Sequence, residues 1–506
     1  MASAGIAAAL VAFVAWSFAQ RWSVLAASPF PVGVDGYFYP IQLRSLLETG
    51  SLQYPASPLT FWLLAPFAAA TDPITGAKLG AACYGALIAL PAYGIGASLG
   101  NGRGPGIVAS ALATFSAGSA YLTIEFVKNG VAITVALAAL WAVLRALDRP
   151  TRGRIVVALV GVAAAVLGHK MAAAIVLGIA VPAAIAEAAG RLRGRRAAGL
   201  YGGLAIGVGV VVALGMIAPH RFLSSSDAAL LDGLLTGDAN WSLPVVDIAG
   251  TPPLGEPLHQ LGYEPLIGAV LGVLAVAVLA LDRSRPRRRG ATVVSWIVAA
   301  LAIAIGLPWL AVDDPQGLAV RVRIVAFVPM AICAAIVLGS ALRFAVPRLA
   351  EQPRLARGVV CGVLALVFAL RVPGSRREGL VEIHPALISG ALALPGHIPD
   401  GDVAIVPERH IAFMVAWYTR TPISIRPEPI AIERRWRLLP GAFVGIGSPL
   451  DDALLAVRAR PELPPPIGLH PYAPNGLVLV PEVTWNHVLA RLPWRDRARF
   501  HRWPTI

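Results

Sequence analysis

A lone carboxylate follows the first apolar segment of the chain, within the aromatic stretch Val34–Pro40. Asp35 is the first ionisable residue after Arg21, and Tyr37 and Tyr39 come shortly after it. A carboxylate at the mouth of a membrane bundle is costly to desolvate, so it usually has a task or a charged partner. The function of the chain depends on which of these applies to Asp35.

Lysine is rare in this chain: Lys78, Lys128 and Lys170 are the three lysines among 42 basic residues. Lys is a compact point charge suited to phosphate, whereas Arg offers a planar bidentate fork. The three lysines are either chance survivors of a general preference for Arg or cations that serve a function. Their neighbours bear on that choice.

Glu125 and Lys128 lie in the turn Ile124–Asn129, between two predicted membrane spans. Their i,i+3 spacing allows a salt bridge if the turn is helical. The pair is either a surface ion pair that caps two helices or a second active-site acid held beside a cation. We favour the second interpretation because the turn is too short to move away from the end of the bundle.

His169 and Lys170 supply the polar side chains of another short turn, Leu167–Met171. A lone His at a helix end is commonly a satisfied cap, but this one is predicted to face the same side of the membrane as Asp35 and Glu125. That placement favours a metal, phosphate or proton role. Asp35, Glu125 and His169 could together hold a hard divalent cation such as Mg²⁺ or Mn²⁺.

Arg321 and Arg323 follow the acidic pair Asp313 and Asp314 at the start of a late apolar segment. Two arginines at the outer end of a helix could bind a pyrophosphate or a phosphodiester. Pairing with the two aspartates of the same loop explains them equally well. The sequence contains no P-loop, dinucleotide fingerprint, nucleophile elbow or zinc-protease helix. The energy for any reaction must therefore come with a preactivated substrate.

These residues are embedded in a very apolar chain: 57% of its 506 residues are hydrophobic and 14% are charged. That balance is typical of a polytopic membrane protein, and the net charge of +14 marks topology rather than a nucleic-acid partner. Since a spanning helix needs about 20 apolar residues, we predict a mainly α membrane bundle of about eleven spans. The predicted spans are 4–20, 75–98, 105–123, 128–147, 153–169, 171–190, 198–218, 263–282, 291–310, 323–343 and 356–373.

Arginine clusters occur in alternate loops and predict which loops are cytoplasmic. The basic loops lie near residues 103, 145–154, 191–196, 283–289 and 343–357. By this rule the N-terminus is cytoplasmic, and the long loops 21–74 and 219–262 are external. The apolar segment Pro58–Thr71 is short and opens with proline, so we predict a re-entrant or interfacial helix there. Arg21 falls on the wrong side of this scheme.

The chain changes character after about residue 374, where charge and proline rise and the apolar runs shorten. We predict that residues 1–374 form the bundle and that residues 375–506 form a small external α/β domain. The predicted strands are Asp402–Val406, Pro422–Ile425, Ala442–Ile446 and Leu477–Val480, and the predicted helices are Arg409–Tyr418, Leu450–Arg458 and Val483–Leu492.

This layout resembles that of the C-type integral-membrane glycosyltransferases (GT-C), which include protein O-mannosyltransferases and the catalytic subunits of oligosaccharyltransferases. The resemblance rests on the first-loop acid in Val34–Tyr39, the amphipathic stretch Ile41–Leu47 and the proline-containing lead Tyr54–Trp62. Glu125 stands where the family often places a second acid, and His169 resembles a recurrent external-loop histidine.

The resemblance implies transfer of a sugar, with inversion, from a polyprenyl-phosphate carrier to a glycan, lipid or protein acceptor at the outer face. It implies Asp35 as the catalytic base and Glu125 or His169 as the group that orients the acceptor or a metal. Tyr37 and Tyr39 would contact the acceptor. Four cations would hold the donor phosphate: Lys128, Lys170, Arg321 and Arg323. We expect the protein in the inner (plasma) membrane of a bacterium.

Two other functions stay open at this point. A transporter or flippase for a lipid-linked glycan would use the same cations for phosphate and Asp35 for proton coupling. Such transporters often show internal repeats and polar residues at the bilayer midplane, and the sequence shows neither. A catalytically inactive assembly scaffold, with an external tail that binds a partner, is the other alternative.

Overall fold

A computed structural model describes residues 2–191 except 34 and 55, then 257–281, 289–306, 322–349 and 353–370, and short stretches between 404 and 478. The chain divides into two compact units. The bundle unit comprises Met1–Ala27, Ser57–Leu63 and Lys78–Glu378, and the loop unit comprises Ser28–Ala56, Leu64–Ala77 and Gly379–Ile506.

Helices account for nearly all of the described residues. In chain order they are α1 (Ala2–Leu25), α2 (Phe38–Thr49), α3 (Pro58–Ala70), α4 (Pro73–Leu87), α5 (Ala89–Leu99), α6 (Arg103–Thr114), α7 (Ala117–Ile124), α8 (Val127–Asp148), α9 (Arg152–Gly168), α10 (Lys170–Arg191), α11 (Pro257–Leu281), α12 (Arg289–Gly306), α13 (Phe327–Leu349) and α14 (Pro353–Leu370).

Seven of the described helical segments are long and apolar enough to cross a membrane. They are Ala4–Leu25, Pro73–Leu99, Val127–Asp148, Lys170–Gly190, Tyr263–Leu281, Arg289–Gly306 and Val322–Phe344. The pair α6 and α7, bent by 44° at its break, makes an eighth if it is one broken span. The chain is thus a mainly helical integral membrane protein. The count of about eleven spans stays a prediction, and the predicted span 198–218 lies outside the described residues.

The helix α3 is apolar but has only 13 residues. At 1.5 Å per residue it is about 20 Å long, whereas the hydrocarbon core of a bilayer is about 30 Å thick. Its length is therefore consistent with the predicted re-entrant or interfacial helix. It is shorter than the seven candidate spans.

Small side chains allow close packing in the bundle unit. The contact of α8 with α9 and α10 is made largely of alanines, among them Ala132, Ala136, Ala165 and Ala172. Larger buried residues such as Phe327 fill the neighbouring core between α5, α8 and α13. Helices in lipid associate through such packing, because lipid tails are as apolar as the side chains they would replace.

Three two-residue strands lie in the loop unit: β1 (Ala404–Ile405), β2 (Ile423–Ser424) and β3 (Leu477–Val478). They form a parallel sheet in the order β2-β1-β3, and each falls within a stretch that the sequence predicts as a strand. Helical residues at 413–414 and 416–418 fall within the predicted helix Arg409–Tyr418. The other predicted elements of the tail lie outside the described residues, so the small α/β domain stays a prediction.

Candidate functional site at the end of the helix bundle

A buried arginine sits within the first span. The Arg21 guanidinium donates hydrogen bonds to four neutral oxygens: Thr123 Oγ1 at 3.0 Å, the Thr114 carbonyl at 2.9 Å, Ser119 Oγ at 2.7 Å, and Ser17 Oγ. A cation at this depth is costly unless its donors are satisfied. These bonds tie α1 to the junction between α6 and α7.

Burial of Arg21 corrects the sequence-based topology at one point. The predicted first span ends at residue 20 and leaves Arg21 in an external loop, where it contradicts the positive-inside rule. In the structure α1 continues to Leu25, and Arg21 is 7% exposed. Arg21 is therefore a structural residue of the bundle, and its positive charge does not indicate on which side of the membrane the following loop lies.

A buried carboxylate holds the other side of the same junction. Glu264 on α11 accepts the backbone N–H of Ala117 at 2.7 Å and that of Gly118 at 3.0 Å. Ser116 accepts the N–H of Ser119 at 3.1 Å and caps α7. The first amides of a helix have no partner within it, and a negative charge is favourable at that end. Glu264 and Ser116 supply these partners.

The sequence analysis did not assign Arg21 or Glu264 to a site, although their positions were informative. An ionisable side chain inside a predicted span usually faces the bundle interior. Glu264 lies in the predicted span 263–282, and Arg21 directly follows another. Sequence alone could not say which backbone groups they contact.

The predicted acid Glu125 lies at the opposite end of α7 from the junction between α6 and α7. Glu125 is the C-cap of α7, is buried, and donates its backbone N–H to the Tyr121 carbonyl at 2.9 Å. Lys128 follows in the first turn of α8 and is half-buried. Because α7 has only eight residues, the contacts at its start control the position of Glu125 at its end.

His169 lies in the turn between α9 and α10. Its Nδ1 accepts the backbone N–H of Met171 at 3.1 Å, so His169 caps α10 and a neutral ring carries its proton on Nε2. Lys170 is the first residue of α10 and is exposed. The structure thus shows a capping role for His169, while its predicted catalytic role stays a prediction.

The structure brings these two turns to the same end of the bundle unit. A Cβ atom on Gly168 would lie 3.9 Å from the side chain of Ala132, which is one helical turn beyond Lys128. Thr60 Oγ1 at the start of α3 donates to the Gly168 carbonyl at 3.5 Å. The pairs Glu125–Lys128 and His169–Lys170 therefore lie at neighbouring helix ends.

Arg323 lies near the start of α7. It is buried, within the helical residues 322–324. The carbonyl of the next residue, Ile324, packs so closely on Gly118 that any side chain there would clash with it. Arg321 lies outside the described residues, so its phosphate-binding role stays a prediction.

Asp35 occupies a tight turn in the loop unit. Gly36 donates its N–H to the Gly33 carbonyl at 2.9 Å, and Phe38 donates to the Asp35 carbonyl at 3.0 Å. Gly33 has φ +89°, in the left-handed region that favours glycine. Asp35 is half-buried, and its Oδ1 is shielded from solvent. These backbone hydrogen bonds fix the main chain that carries Asp35.

The C-terminal tail packs against this turn and α2 within the loop unit. The hydroxyls of Tyr37 and Tyr418 lie 3.1 Å apart. The Arg44 guanidinium lies 4.3 Å from the centroid of the Trp417 ring and donates a hydrogen bond to the backbone carbonyl of Trp417 at 2.9 Å. Burial, and then the bond to Tyr418, raise the pKa of the Tyr37 phenol, so it stays neutral. Tyr39 is also buried. Acceptor contacts by Tyr37 and Tyr39 stay predictions.

No group of three or more His, Cys, Asp or Glu side chains in the described part of the chain is arranged to hold a metal ion. The predicted ligands divide between the two units, with Asp35 in the loop unit and both Glu125 and His169 in the bundle unit. The divalent-cation site stays a sequence prediction.

An apolar cavity of about 590 Å³ lies beside the junction between α6 and α7 in the bundle unit. Val108, Leu112, Ile267 and Leu338 are among its lining residues. Its described polar lining consists of Ser116, the N-cap of α7, and of Tyr263 and Glu264 in the second turn of α11. Ligand cavities of this size are typically mostly apolar with few polar groups, so this cavity has the lining expected of a site for an apolar ligand.

Replacing Glu264 with Ala should destabilise the protein. Two buried amides at the start of α7 would lose their acceptor, at roughly 1–3 kcal/mol for each unsatisfied donor. Glu264→Gln keeps the volume and one acceptor oxygen and should lose less. Denaturant unfolding of the purified proteins in one detergent measures the order; equal stability of wild type and Glu264→Ala would show that the contact contributes nothing.

Comparison of the sequence with known protein families and with curated proteins gives no match. Comparison of the fold gives 16 matching chains of solved structures. One is the archaeal oligosaccharyltransferase AglB from Archaeoglobus fulgidus, solved in complex with an inhibitory peptide and a dolichol-phosphate. The match has a TM-score of 0.52 at 13% identity and covers 83% of this chain and 64% of AglB. The chain thus shares the fold of this enzyme and spans somewhat less than two thirds of its length.

Proposed function

We propose that the protein is a GT-C membrane glycosyltransferase that moves a sugar from a polyprenyl-phosphate donor to an acceptor at the outer face of the membrane. The observation that carries the proposal is the fold match to AglB, which extends over 83% of the chain. The first-loop acid Asp35, and the acid–base pairs at the end of the bundle unit, support it independently of that match.

In the proposed reaction an acceptor hydroxyl oxygen attacks the anomeric carbon of the donor sugar. The new C–O bond forms as the bond from carbon to the phosphate oxygen breaks, so the sugar inverts and the carrier phosphate leaves with the electron pair. Asp35 takes the hydroxyl proton, a contribution of roughly 10²–10⁴-fold. Glu125 or His169 orients the acceptor, and buried Tyr37 supports the Asp35 turn.

The leaving phosphate gains negative charge, which positioned cations stabilise without any nucleotide. We assign this role to Lys128, Lys170, Arg321 and Arg323. Lys128 and Lys170 begin neighbouring helices at one end of the bundle unit. A lysine at a helix start gains nothing from the helix dipole, which is positive there. That energetic disadvantage supports a role in binding an anion.

The apolar cavity beside Glu264 is the proposed position of the carrier's hydrocarbon chain. Most of its lining comes from α6, α11, α13 and α14, so a chain lying there would pass between helices of the bundle. The two carboxylate oxygens of Glu264 are engaged with the α7 amides, and the other lining residues except Ser116 and Tyr263 are apolar.

Sugar transfer from a radiolabelled polyprenyl-phosphate donor in membranes that contain the protein tests the proposal. We expect label to move to a non-carrier product only in these membranes. Movement of an intact lipid-linked glycan across the bilayer, without transfer, would instead identify a flippase. Donor binding with neither outcome would identify a scaffold.

The outer-face assignment requires the C-terminal tail to be external, as the alternating arginine clusters predict. A C-terminal alkaline phosphatase fusion should then be active, and a green fluorescent protein fusion at the same residue should be dark. The opposite pattern would invert the topology and place the proposed reaction at the inner face.

A further inference from the structure

A second cavity, of about 570 Å³, opens at the far end of α8 from Glu125 and Lys128. It lies in the bundle unit between the α5–α6 turn at Asn101 and the connection of α8 to α9, with Arg145 on α8, Arg149 in the turn and Arg154 on α9. The start of α12 contributes Ala291. The site is thus walled by three separate parts of the chain.

The charge of this cavity is positive. Three arginines line it against a single acid, Asp148, and the Arg149–Asp148 pair is a 3.8 Å contact between exposed side chains, which has little strength. Arg154 donates from Nη1 to the carbonyls of Arg145 and Arg149, at 3.4 Å each. These bonds hold Arg154 across the turn, and Arg145 and Arg149 are the other two cations of the lining.

An indole forms a fixed wall of the cavity. The Trp141 ring packs directly on Gly94 of α5, where any side chain would clash with it. The Arg145 guanidinium carbon lies 5.6 Å from the centroid of this ring, within range of a cation–π contact. Tyr93 also lines the space. Trp and Tyr are enriched at the depth of lipid headgroups, where an apolar ring and a polar tip are both satisfied.

The candidate membrane span Val127–Asp148 ends at this cavity, which predicts a position near the membrane surface. Its lining combines three arginines with apolar side chains, among them Leu144, Leu147 and Ala97. Arginines that only set the orientation of the protein in the membrane do not need to line a cavity. We propose that this cavity binds an anionic glycerophospholipid, with the phosphodiester on Arg145 and Arg149 and the start of an acyl chain on the leucines.

Native mass spectrometry of the full-length protein, titrated with phosphatidylglycerol in detergent, tests the proposal. Wild type should bind phosphatidylglycerol in preference to phosphatidylcholine. Arg145→Gln should weaken phosphatidylglycerol binding about 10-fold, the cost of one charge-assisted contact. Arg152→Gln is the matched control, because Arg152 begins α9 in the same basic turn, is exposed, and does not line the cavity.

Equal losses in Arg145→Gln and Arg152→Gln would overturn the site and leave only a general attraction of basic loops for anionic lipid. Equal binding of phosphatidylcholine would do the same. Displacement of the lipid by excess inorganic phosphate would overturn the lipid assignment in favour of a soluble anion. None of these readouts involves sugar transfer, so the proposal stands or falls separately from the proposed function.

Discussion

Asp35→Asn should lower sugar transfer at least ~100-fold while leaving the amount of folded protein nearly unchanged. The change preserves the volume of the side chain and removes its ability to take a proton, and general-base help is worth roughly 10²–10⁴-fold. The backbone bonds of the turn, from Gly36 to Gly33 and from Phe38 to Asp35, do not involve the carboxylate and persist in the variant.

Asp72→Asn is a matched control for this substitution. Asp72 also belongs to the loop unit, is exposed, and caps α4 by accepting the backbone N–H groups of Ile74 and Thr75 at 2.8 and 3.0 Å. Asn caps helices about as well as Asp, so this variant should keep full activity. Near wild-type transfer by Asp35→Asn, measured beside the control, would make Asp35 a structural residue and disprove the proposed mechanism.

Lys128→Ala should weaken use of the polyprenyl-phosphate donor more than use of the acceptor. Loss of one charge-assisted contact with phosphate costs roughly 1.5–3 kcal/mol, or about 10–150-fold in affinity. Arg323→Ala and Arg321→Ala should act in the same direction. The apparent affinity for donor, measured at saturating acceptor, separates this effect from a general loss of activity.

The geometry of the cation offers a control. Lys170→Arg keeps the charge but replaces a compact ammonium with a planar fork, so it should impair donor use. An Arg-to-Lys exchange within the basic cluster Arg285–Arg289 should be better tolerated, because only charge counts for orientation there. Unchanged donor affinity in all these variants would leave the residues as ordinary helix-end charges and remove the independent argument for a phosphate-linked substrate.

The membrane class and the turns that carry polar residues could be predicted from the amino-acid sequence alone. Hydropathy is a local property, so runs such as Val127–Asp148 are recognisable without knowledge of their neighbours. The turns at Glu125 and His169 are equally local, and the short connections between α7, α8, α9 and α10 place successive helix ends side by side. These features needed only composition and spacing.

The partners of the buried charged residues could be identified only from the folded chain. Arg21 meets Thr123 across 102 residues of sequence, and Glu264 meets Ala117 across 147. The tail reaches the first loop through Tyr37 and Tyr418, which are 381 residues apart. Such contacts leave no periodic pattern, because a single hydrogen bond depends on how the helices pack rather than on the residues beside it. In the sequence, the only sign of the break between α6 and α7 is the position of two ionisable residues in or beside predicted membrane spans. In the folded bundle, hydrogen bonds of these two residues hold the helices together at the break.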